Sequence, residues 1–312
     1  MNIASIDTGT NTVLLLIAST DSGKSLKVVK EIHNMPRMGE DVFKSGVIKE
    51  EKIIELCNIY SSYRKECDAN NVTKIIACGT NVFRIAKNSD EVIRRVYEAS
   101  GIKLTIISGD LEADCSYLGA TADFDRNERI AVIDIGGGSS EVTCKEGNNL
   151  IFQNSFSTGV VTLRENFLRK GMVTAENTKR LEQFCDDFFD ELTNIEPLPA
   201  KAISIAGTPT TLFSLYKKYP EFYGEKIHKQ YLSIENIDEV LKRIHNIPFS
   251  DYGKFGKIVK GREDLLAAGA MVLKTILKKT GLAGTFVSIT GLRYGIILKH
   301  LLSPDDWSGT AS

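Results

Sequence analysis

The sequence predicts an α/β protein that is built from two similar halves. Short apolar runs alternate with amphipathic segments along the chain, and this order restarts near residue 130. Each half opens with a strand, an aspartate, a glycine-bearing turn and a second strand, which read IASIDTGTNTVLLL and IAVIDIGGGSSEVT. Because 312 residues exceed the size of one ordinary core, the repeat also predicts two domains.

The first half reads as a β-meander followed by alternating helices and strands. Its opening hairpin has a polar, glycine-bearing tip, and apolar residues at helical spacing follow the third strand. The predicted elements are strands at 2–7, 12–20 and 26–32, a helix at 49–69, a strand at 73–78, a helix at 81–99, a strand at 103–108 and a helix at 110–121.

The second half repeats this order after a polar stretch at 122–128. We therefore predict an N-terminal domain at 1–124 and a C-terminal domain at 125–312. The last helix of the C-terminal domain could pack on the N-terminal domain. After the repeated hairpin, the predicted elements are a strand at 149–156, helices at 160–168 and 174–192, a strand at 202–207 followed by a helix, helices at 235–245 and 262–279, a strand at 286–290 and a helix from 291.

Composition narrows the function classes. The formal net charge is −1, so no global positive field attracts nucleic acid or a membrane surface, and any polyanion must meet local donors or a metal. The six cysteines are scattered without a CxxC pair, which argues against a zinc site and favours reduced thiols in the cytoplasm. The apolar run at 12–18 lacks a basic region before it and is too short to span a bilayer, so a buried strand is expected.

The two glycine-bearing turns are the first candidate binding sites. Glycines and small hydroxyl residues allow backbone N–H groups to converge on phosphate oxygens without a net positive charge, although ordinary glycine hairpins share this composition. The candidate phosphate ligands are Asp7, Thr8, Gly9, Thr10, Asn11 and Thr12 in the first turn and Gly136, Gly137, Gly138, Ser139 and Ser140 in the second. Asp134 and Glu141 flank the second turn, and such carboxylates suit Mg²⁺, which binds a few carboxylates together with phosphate oxygens.

A third turn, which contains Gly207 and Thr208, lies between a predicted strand and a predicted helix. The free N–H groups at a helix start favour an anion. Capping of the helix by Thr208, with Pro209 at the first helical position, explains the same residues. Both interpretations stay open at the level of sequence.

Eight segments in this order form a more specific pattern than any single turn. They are DTGTNT (7–12), GTNVFRIAKN (79–88), ISGDLEADCSYLGA (107–120), VIDIGGGSSEV (132–142), FSTGVVTLRENF (156–167), AGTPTTL (206–212), REDLLAAGA (262–270) and SITGLRYGII (288–297). The set resembles the exopolyphosphatase and guanosine pentaphosphate phosphohydrolase (Ppx/GppA) family, part of the sugar kinase, Hsp70 and actin superfamily. The resemblance implies two ribonuclease H-like (actin-like ATPase) domains with an active-site cleft between them, in the short form that lacks a further helical C-terminal region.

Glu112 and Arg84 are the candidate catalytic residues. In the family the glutamate that precedes Ala in the SG-x-x-E-A segment is the proposed general base, and here that residue is Glu112. A glutamate in the first turn of a helix also stabilises the helix dipole, so the residue alone leaves both roles open. The resemblance places Arg84 near the phosphates, where it would offset negative charge, and a solvated helix arginine is the alternative.

Arg37 and Arg293 are lesser candidates, and His228 is expected to be structural. This chain departs from the family pattern around Glu112, which is preceded by Leu111 and followed, after Ala113, by Asp114 and Cys115, and again at Tyr294, where the family commonly has an acidic residue. These departures bear on substrate preference and turnover, and Cys115 is expected to be an ordinary helix cysteine.

The predicted function is a Mg²⁺-dependent exopolyphosphatase, a phosphoric anhydride hydrolase that releases terminal orthophosphate from inorganic polyphosphate. The alternative substrate is the 5′-phosphate of guanosine pentaphosphate (pppGpp). More distant alternatives are a kinase of the same superfamily, which needs ATP and not Glu112, and a sensor that binds polyphosphate or nucleotide without cleaving it. The resemblance further implies a homodimer, whereas the scattered cysteines predict a cytoplasmic location and the net charge predicts a protein that binds neither nucleic acid nor membrane.

Overall fold

The computed structural model describes residues 1–20, 26–168 and 171–303. The chain forms two compact units. Unit 1 consists of Met1–Gly119 and the segment that begins at Gly291, and unit 2 consists of Ala120–Thr290. These units are groups of residues that pack together, whereas the division at 124/125 stays a prediction about domain boundaries.

The first segment of unit 1 contains five strands and five helices among its described residues. In chain order they are β1 (Asn2–Thr8), β2 (Val13–Thr20), β3 (Leu26–Asn34), α1 (Val42–Ser45), α2 (Glu50–Ala69), β4 (Val72–Gly79), α3 (Asn81–Ile85), α4 (Ser89–Ser100), β5 (Leu104–Ile106) and α5 (Gly109–Ala120).

Unit 2 follows with six strands and six α-helices among its described residues, and a last helix then belongs to unit 1. In chain order they are β6 (Arg129–Ile135), β7 (Ser140–Glu146), β8 (Asn149–Phe156), α6 (Val160–Phe167), α7 (Ala175–Phe188), β9 (Lys201–Ile205), α8 (Gly207–Tyr216), α9 (Gly224–Ile227), β10 (Gln230–Ser233), α10 (Ile234–Ile244), α11 (Leu266–Lys279), β11 (Gly284–Val287) and α12 (Leu292–Leu302).

The two sheets have the same core topology. The order is β3-β2-β1-β4-β5 in unit 1 and β10-β11-β9-β6-β7-β8 in unit 2, so β6, β7, β8, β9 and β11 correspond to β1 to β5. In both units the first three strands pair antiparallel and the fourth strand pairs parallel with the first. This correspondence confirms the duplication that the repeated hairpin predicted.

The predicted helix at 81–99 is wrong as a single element, because the chain leaves the helical conformation at Ala86. The hydroxyl of Ser89 donates to the carbonyl oxygens of Phe83, at 2.6 Å, and of Ala86, at 2.7 Å. The side-chain amide of Asn88 both accepts from and donates to the backbone of Ile48, at 2.9 Å in each case. Short polar side chains compete with helical hydrogen bonds in this way and divide the segment into α3 and α4.

Several other boundaries differ from the prediction, and the strand predicted at 286–290 is observed at Gly284–Val287. The helix predicted at 262–279 begins at Leu266, after a hydrogen-bonded turn, and the helix predicted at 174–192 ends at Phe188, where a 3₁₀-helix (Asp190–Asn194) follows. Strand β10 was not predicted, because a four-residue strand is too short to give a periodic signal.

Each unit has its own apolar core. In unit 1, one face of α2 buries Ile53, Leu56 and Tyr60 against the sheet, as the spacing predicted. Tyr63 on the same helix donates its hydroxyl to the Val13 carbonyl oxygen at 2.8 Å, which satisfies the one polar atom of this ring. In unit 2 the central helix is α11, most of whose side chains are buried.

Glycines allow α5 and α12 to approach at backbone distance inside unit 1. A Cβ atom at Gly119 would overlap the carbonyl oxygen of Gly291, and one at Gly295 would overlap the carbonyl oxygen of Cys115. Beside this contact Leu111 and Ile296 are buried in a shared apolar cluster. The helix that carries Glu112 is therefore packed directly on the last helix.

None of the described helices combines the length and hydropathy that a membrane-spanning segment requires. All six cysteines are free thiols.

We expect Gly295→Ala to lower the free energy of unfolding by about 1–3 kcal/mol, because its methyl group has no space beside the Cys115 carbonyl. An alanine that replaces glycine in an unconstrained helix would instead stabilise the protein by about 1 kcal/mol, so the sign of the change is informative. Urea unfolding of Gly295→Ala, with Gly253→Ala as the control, measures it. Apart from its two chain neighbours, no described residue lies within 4 Å of a Cβ at Gly253. A control loss as large as that of Gly295→Ala would contradict the explanation.

Candidate active site

In unit 1 the carboxyl ends of three parallel strands bring the candidate residues together. The Thr80 N–H donates to the Thr8 carbonyl oxygen at 3.1 Å, and the Ile107 N–H donates to the Gly79 carbonyl oxygen at 3.0 Å. The ends of β1, β4 and β5 are thus hydrogen-bonded neighbours. Loop 1 (Gly9–Thr12), the start of α3 and the start of α5 leave the sheet at this edge, which is where open α/β sheets bind ligands.

Loop 1 is a closed turn with unused N–H donors. The Gly9 N–H donates to the Thr12 carbonyl oxygen at 2.9 Å, whereas the N–H groups of Thr10, Asn11 and Thr12 donate to no other residue in the described ranges. Three successive unpaired N–H groups form the kind of concavity that binds an anion. Next to the turn, the Gly39 N–H donates to the Thr10 carbonyl oxygen at 2.8 Å. A Cβ atom at position 39 would overlap the Thr10 side chain, so only glycine fits there.

The side chains of loop 1 are less uniform than its backbone. Thr8 is fully buried, and its hydroxyl lies 2.6 Å from the Tyr60 hydroxyl, so it has a partner inside the core. The side chain of Asn11 is also buried, and its Oδ1 has no hydrogen-bond partner within the described residues. Arg37 donates its backbone N–H to the Asn11 carbonyl oxygen at 3.1 Å from a left-handed conformation, with φ of 55°. Asp7 lies directly opposite Leu14 at the base of the hairpin.

The buried Glu112 and the partly buried Arg84 form an ion pair at the same edge of the sheet. Arg84 Nη1 lies 2.8 Å from Glu112 Oε2, and the Glu112 side chain is only 8% exposed. The same Nη1 donates to the Ile107 carbonyl oxygen at 2.8 Å, which fixes the guanidinium between the two strand ends. Ser108 begins α5 by accepting the Leu111 N–H on its hydroxyl at 3.2 Å. The sequence predicted both catalytic candidates, and the structure places them in contact.

Two guanidinium nitrogens of Arg84 do not take part in the ion pair. Nη1 donates to Ile107 and Glu112, whereas Nε and Nη2 donate to none of the residues that the structure describes. Because a guanidinium presents its donors in a rigid fork, Arg84 can hold the glutamate with one nitrogen and bind a phosphate oxygen with another.

Cys115 and Cys78 are buried near Glu112, and neither is a nucleophile at neutral pH. Burial raises the pKa of the Cys115 thiol to about 12, and burial raises the pKa of Cys78 well above its usual value. Because only a thiolate attacks, both thiols are inert in the folded protein. This agrees with the expectation that Cys115 is an ordinary helix cysteine.

In unit 2, loop 2 (Gly136–Ser139) has the same geometry as loop 1. The Gly136 N–H donates to the Ser139 carbonyl oxygen at 2.9 Å, and the N–H groups of Gly137, Gly138 and Ser139 donate to no residue that the structure describes. Ser140 begins the returning strand and uses its hydroxyl on the Thr158 carbonyl oxygen at 2.9 Å. The correspondence with loop 1 therefore includes the closing hydrogen bond and the three unpaired donors.

The start of α6 supports loop 2 from behind. The Val160 N–H donates to the Gly136 carbonyl oxygen at 3.0 Å, and the Val161 N–H donates to the Gly137 carbonyl oxygen at 2.8 Å. Gly159 makes this approach possible, because a Cβ there would lie 2.5 Å from the Gly136 carbonyl oxygen. The loop carbonyls are thus held by α6, while the N–H groups remain available.

Asp134 and Glu141 are directly opposed on β6 and β7, next to loop 2. Opposed residues of an antiparallel pair share one face of the sheet, so the two carboxylates lie side by side. Ser155 donates its hydroxyl to Glu141 Oε1 at 2.7 Å, which orients this buried carboxylate. No group of three or more His, Cys, Asp or Glu residues that could hold a metal occurs within the described ranges. Two carboxylates beside a phosphate loop fit Mg²⁺, which takes its other ligands from phosphate and water.

The third predicted phosphate turn lies at the carboxyl end of β9. Helix α8 begins at Gly207, so Thr208 is inside its first turn, and the alternative of Thr208 as the capping residue is wrong. The Thr208 side chain packs against Gly269 of α11. Ala206, which precedes the helix, has φ of 69° and ψ of −162°, a conformation that costs a residue other than glycine about 1–3 kcal/mol.

Arg262 is a candidate that sequence reasoning missed. Its guanidinium occupies the space where Gly207 would carry a Cβ, at the N-terminus of α8. Burial lowers the pKa of this guanidinium, and no carboxylate pairs with it in the described part of the chain. A cation beside the positive end of a helix favours an anion at that point. The sequence does show an arginine at the first position of REDLLAAGA (262–270), one of the segments that resemble the family, but nothing in that segment indicates a contact with Gly207.

The lesser candidates have structural partners. Arg293 donates to Glu31 Oε1 from Nη2, at 2.9 Å, and the Tyr294 hydroxyl donates to the same oxygen at 3.0 Å. His228 lies 3.4 Å from Asp123 Oδ2 and accepts the Ile289 N–H at 3.4 Å. These contacts fasten α12 to β3 in unit 1 and hold His228 within unit 2, and a structural role for His228 stays a prediction.

We expect Gly159→Ala to displace loop 2, because the new methyl group would lie within 2.6 Å of both the Gly136 and the Gly137 carbonyl oxygens. Stability should fall by about 1–3 kcal/mol, and the rise in melting temperature that tripolyphosphate produces should become smaller. Thermal unfolding with and without tripolyphosphate measures both effects, with Gly253→Ala as the control. An unchanged ligand-induced shift would show that the position of loop 2 does not affect phosphate binding.

Comparison with known proteins extends these observations. A bifunctional 3-dehydroquinate synthase/phosphatase of Fusobacterium nucleatum is 32% identical over 95% of this chain, which spans only 46% of that relative's length. Exopolyphosphatase 2 of Mycobacterium tuberculosis is 23% identical, and the match covers 89% of this chain and 90% of the relative.

Solved structures give the same result. The crystal structure of the Aquifex aeolicus Ppx/GppA family member matches with a TM-score of 0.83 at 28% identity, covering 98% of this chain and 99% of that chain. An exopolyphosphatase from Cytophaga hutchinsonii shares the fold, with a TM-score of 0.89 over 96% of this chain and 98% of that chain at 22% identity. The matches confirm the predicted fold of two actin-like α/β domains and the predicted class of enzyme, a phosphoric anhydride hydrolase. The Ppx/GppA phosphatase family matches residues 16–304, and the chain belongs to this family.

Proposed function

We propose that this protein is an exopolyphosphatase, which releases the terminal orthophosphate of inorganic polyphosphate by attack of water on the terminal phosphorus. The observation that carries the proposal is the ion pair between Arg84 and the buried Glu112, which lies at the same strand ends as loop 1. A carboxylate held in place beside a phosphate-binding turn is the arrangement that water activation requires.

Glu112 acts as the general base. It accepts a proton from the water as the water oxygen bonds to phosphorus and the bridging P–O bond breaks, and the shortened polyphosphate leaves with the bridging oxygen. Arg84 holds the carboxylate at 2.8 Å and offers its remaining N–H donors to the charge that spreads over the phosphoryl oxygens. Because the glutamate side chain is 8% exposed, it reaches few solvent molecules other than the one that reacts.

The two glycine loops bind phosphate oxygens through their backbones. Each offers three successive N–H groups without other partners in the described chain, and this requires no side-chain charge. Thr8, one of the predicted ligands, contributes through the turn that it anchors, since its hydroxyl lies against Tyr60. Gly207, with Arg262 against it, supplies a further anion site at the start of α8.

Mg²⁺ is the proposed cofactor, and Asp134 and Glu141 would hold it. When bound, it neutralises charge on the phosphate oxygens. Ser155 orients Glu141 for this role by donating to Oε1 at 2.7 Å. The corresponding positions in unit 1 are Asp7 and Leu14, so the pair of carboxylates occurs beside loop 2 and not beside loop 1.

Polyphosphate is the proposed substrate because every recognised feature binds phosphate. The loops, Arg84 and Arg262 are all suited to oxyanions. Relatives named exopolyphosphatase in Mycobacterium tuberculosis and Mycobacterium leprae align over 89% and 100% of this chain. The pppGpp alternative shares the same terminal phosphate chemistry, and the assays below separate the two substrates.

We expect Glu112→Gln to lower kcat for phosphate release by about 10²–10⁴-fold, since the amide cannot accept the proton. Release of orthophosphate from polyphosphate, pppGpp and ATP with Mg²⁺ measures it, and an unchanged melting temperature shows that the fold is retained. The matched control is Asp110→Asn, an exposed carboxylate in the same helical turn. Full activity in Glu112→Gln would exclude Glu112 as the general base. Absence of release by the wild type from every substrate would exclude the hydrolase, and preference for pppGpp would exclude polyphosphate as the main substrate.

We expect Asp134→Asn to raise the Mg²⁺ concentration for half-maximal phosphate release by about tenfold or more, because one of two carboxylate ligands is lost. Titration of Mg²⁺ into EDTA-treated protein measures this value, and Asp125→Asn, a change in the loop before β6, is the control. The metal assignment fails if the Asp134→Asn and control titrations coincide.

A further inference from the structure

Two neighbouring segments of unit 2 form an exposed basic surface. Residues 217–226 and 254–260 carry six lysines and two glutamates, although the whole chain has a net charge of −1. All six lysines are exposed. We call them the lysine surface, and its members are Lys217, Lys218, Lys226, Lys254, Lys257 and Lys260.

Backbone contacts hold the two segments together. The Ile258 N–H donates to the Pro220 carbonyl oxygen at 3.0 Å. Gly256 packs so closely that a Cβ there would lie 2.6 Å from the Pro220 Cα. The two groups of lysines therefore belong to one continuous surface and not to separate loops.

The lysine surface is not neutralised by neighbouring carboxylates. None of its six ammonium groups forms an ion pair with a described residue, whereas Lys274 and Lys201 elsewhere in unit 2 are paired with Asp238 at 2.6 Å and Glu128 at 2.7 Å. One of the two glutamates, Glu221, accepts a hydrogen bond from the Tyr223 hydroxyl. The positive charge of this surface is thus available to a ligand.

Aromatic rings position three of the ammonium groups. Lys226 Nζ lies 5.0 Å from the centre of the Tyr223 ring, Lys217 Nζ lies 4.8 Å from that of Tyr216, and Lys254 Nζ lies 5.5 Å from that of its neighbour Phe255. Such cation–π contacts hold a lysine without removing its charge. They reduce the conformational entropy that long lysine side chains lose when a ligand binds.

We infer that the lysine surface binds the polyphosphate chain at phosphates remote from the one being cleaved. The inference rests on the proposed function and adds a second contact region for the same substrate. Polyphosphate carries a charge on every unit and no bases, so point-charge ammonium groups on an open surface are sufficient to bind it.

The chemistry of the surface favours polyphosphate over RNA. Recognition of single-stranded RNA depends on free aromatic faces for stacking and on arginine. Here the rings of Tyr216 and Tyr223 face ammonium groups, and Phe222 is the single exposed aromatic side chain of the two segments. One ring does not provide the succession of stacking platforms that single-stranded RNA uses. The nearby Arg243 uses Nη1 on the Leu215 carbonyl oxygen at 2.6 Å.

The test is a triple variant, Lys218→Gln, Lys257→Gln and Lys260→Gln, which leaves the three ring-packed lysines in place. Its matched control is Lys65→Gln, Lys74→Gln and Lys103→Gln, which removes three exposed charges from unit 1. We expect KM for long-chain polyphosphate to rise about tenfold in the first variant and the slope of log KM against log salt to fall by about 2, because three phosphate contacts are lost. For tripolyphosphate, KM and kcat should match those of the wild type, as should kcat for long chains.

The inference is overturned if the two triple variants have equal KM for long chains, or if KM for tripolyphosphate rises by the same factor. Affinity of the Glu112→Gln variant for long-chain polyphosphate, measured with and without the three lysine substitutions, gives a second readout that needs no hydrolysis. Loss of this affinity supports the surface even if the wild type releases no phosphate, an outcome that would exclude only the proposed function. Single-stranded RNA that binds more tightly than polyphosphate would identify a different ligand and overturn the inference.

Discussion

Parallel hydrogen bonding between β1, β4 and β5 determines which side chains can meet in unit 1. These strands are distant in sequence, yet their carboxyl ends are joined by backbone hydrogen bonds from Thr80 to Thr8 and from Ile107 to Gly79. Loop 1, Arg84 and Glu112 all follow directly from these ends. If the register of β4 moved by one residue, the side chains of the whole strand would change faces. The ion pair at the candidate active site is therefore a consequence of the sheet.

Unit 2 has the same sheet topology as unit 1 but carries its charged residues at different positions. Its fourth strand also ends next to a closed glycine turn, but it is followed by Gly207, which contacts the Arg262 guanidinium, whereas the helix that follows the fourth strand of unit 1 carries Arg84. The acidic groups of unit 2 are located on the hairpin itself, at Asp134 and Glu141. One backbone arrangement thus supports a carboxylate–guanidinium pair in one unit and a carboxylate pair in the other.

Much of the fold and part of the site could be predicted from sequence. The repeated hairpin gave the duplication, because strands, aspartate and glycine recur at fixed spacing, and Glu112 and Arg84 could be named from segments that resemble a known family. The contact between them could not be predicted, because it depends on the pairing of β4 with β5. Asn88 and Ser89 divided a predicted helix through side-chain hydrogen bonds that no apolar periodicity reveals. The position of Arg262 beside the start of α8 could not be predicted. The residue that it contacts there, Gly207, lies 55 positions earlier and has no side chain that would indicate a contact.

The correspondence between the two loops separates what the two halves share from what differs between them. The closing hydrogen bond of each turn, from Gly9 to Thr12 and from Gly136 to Ser139, is 2.9 Å in both halves, whereas the side chains within the turns differ at nearly every position. The two halves therefore share a peptide geometry and differ in the residues that it displays. The shared element is the spacing of the amide groups, so the side chains in either turn can differ while the backbone donors stay in place.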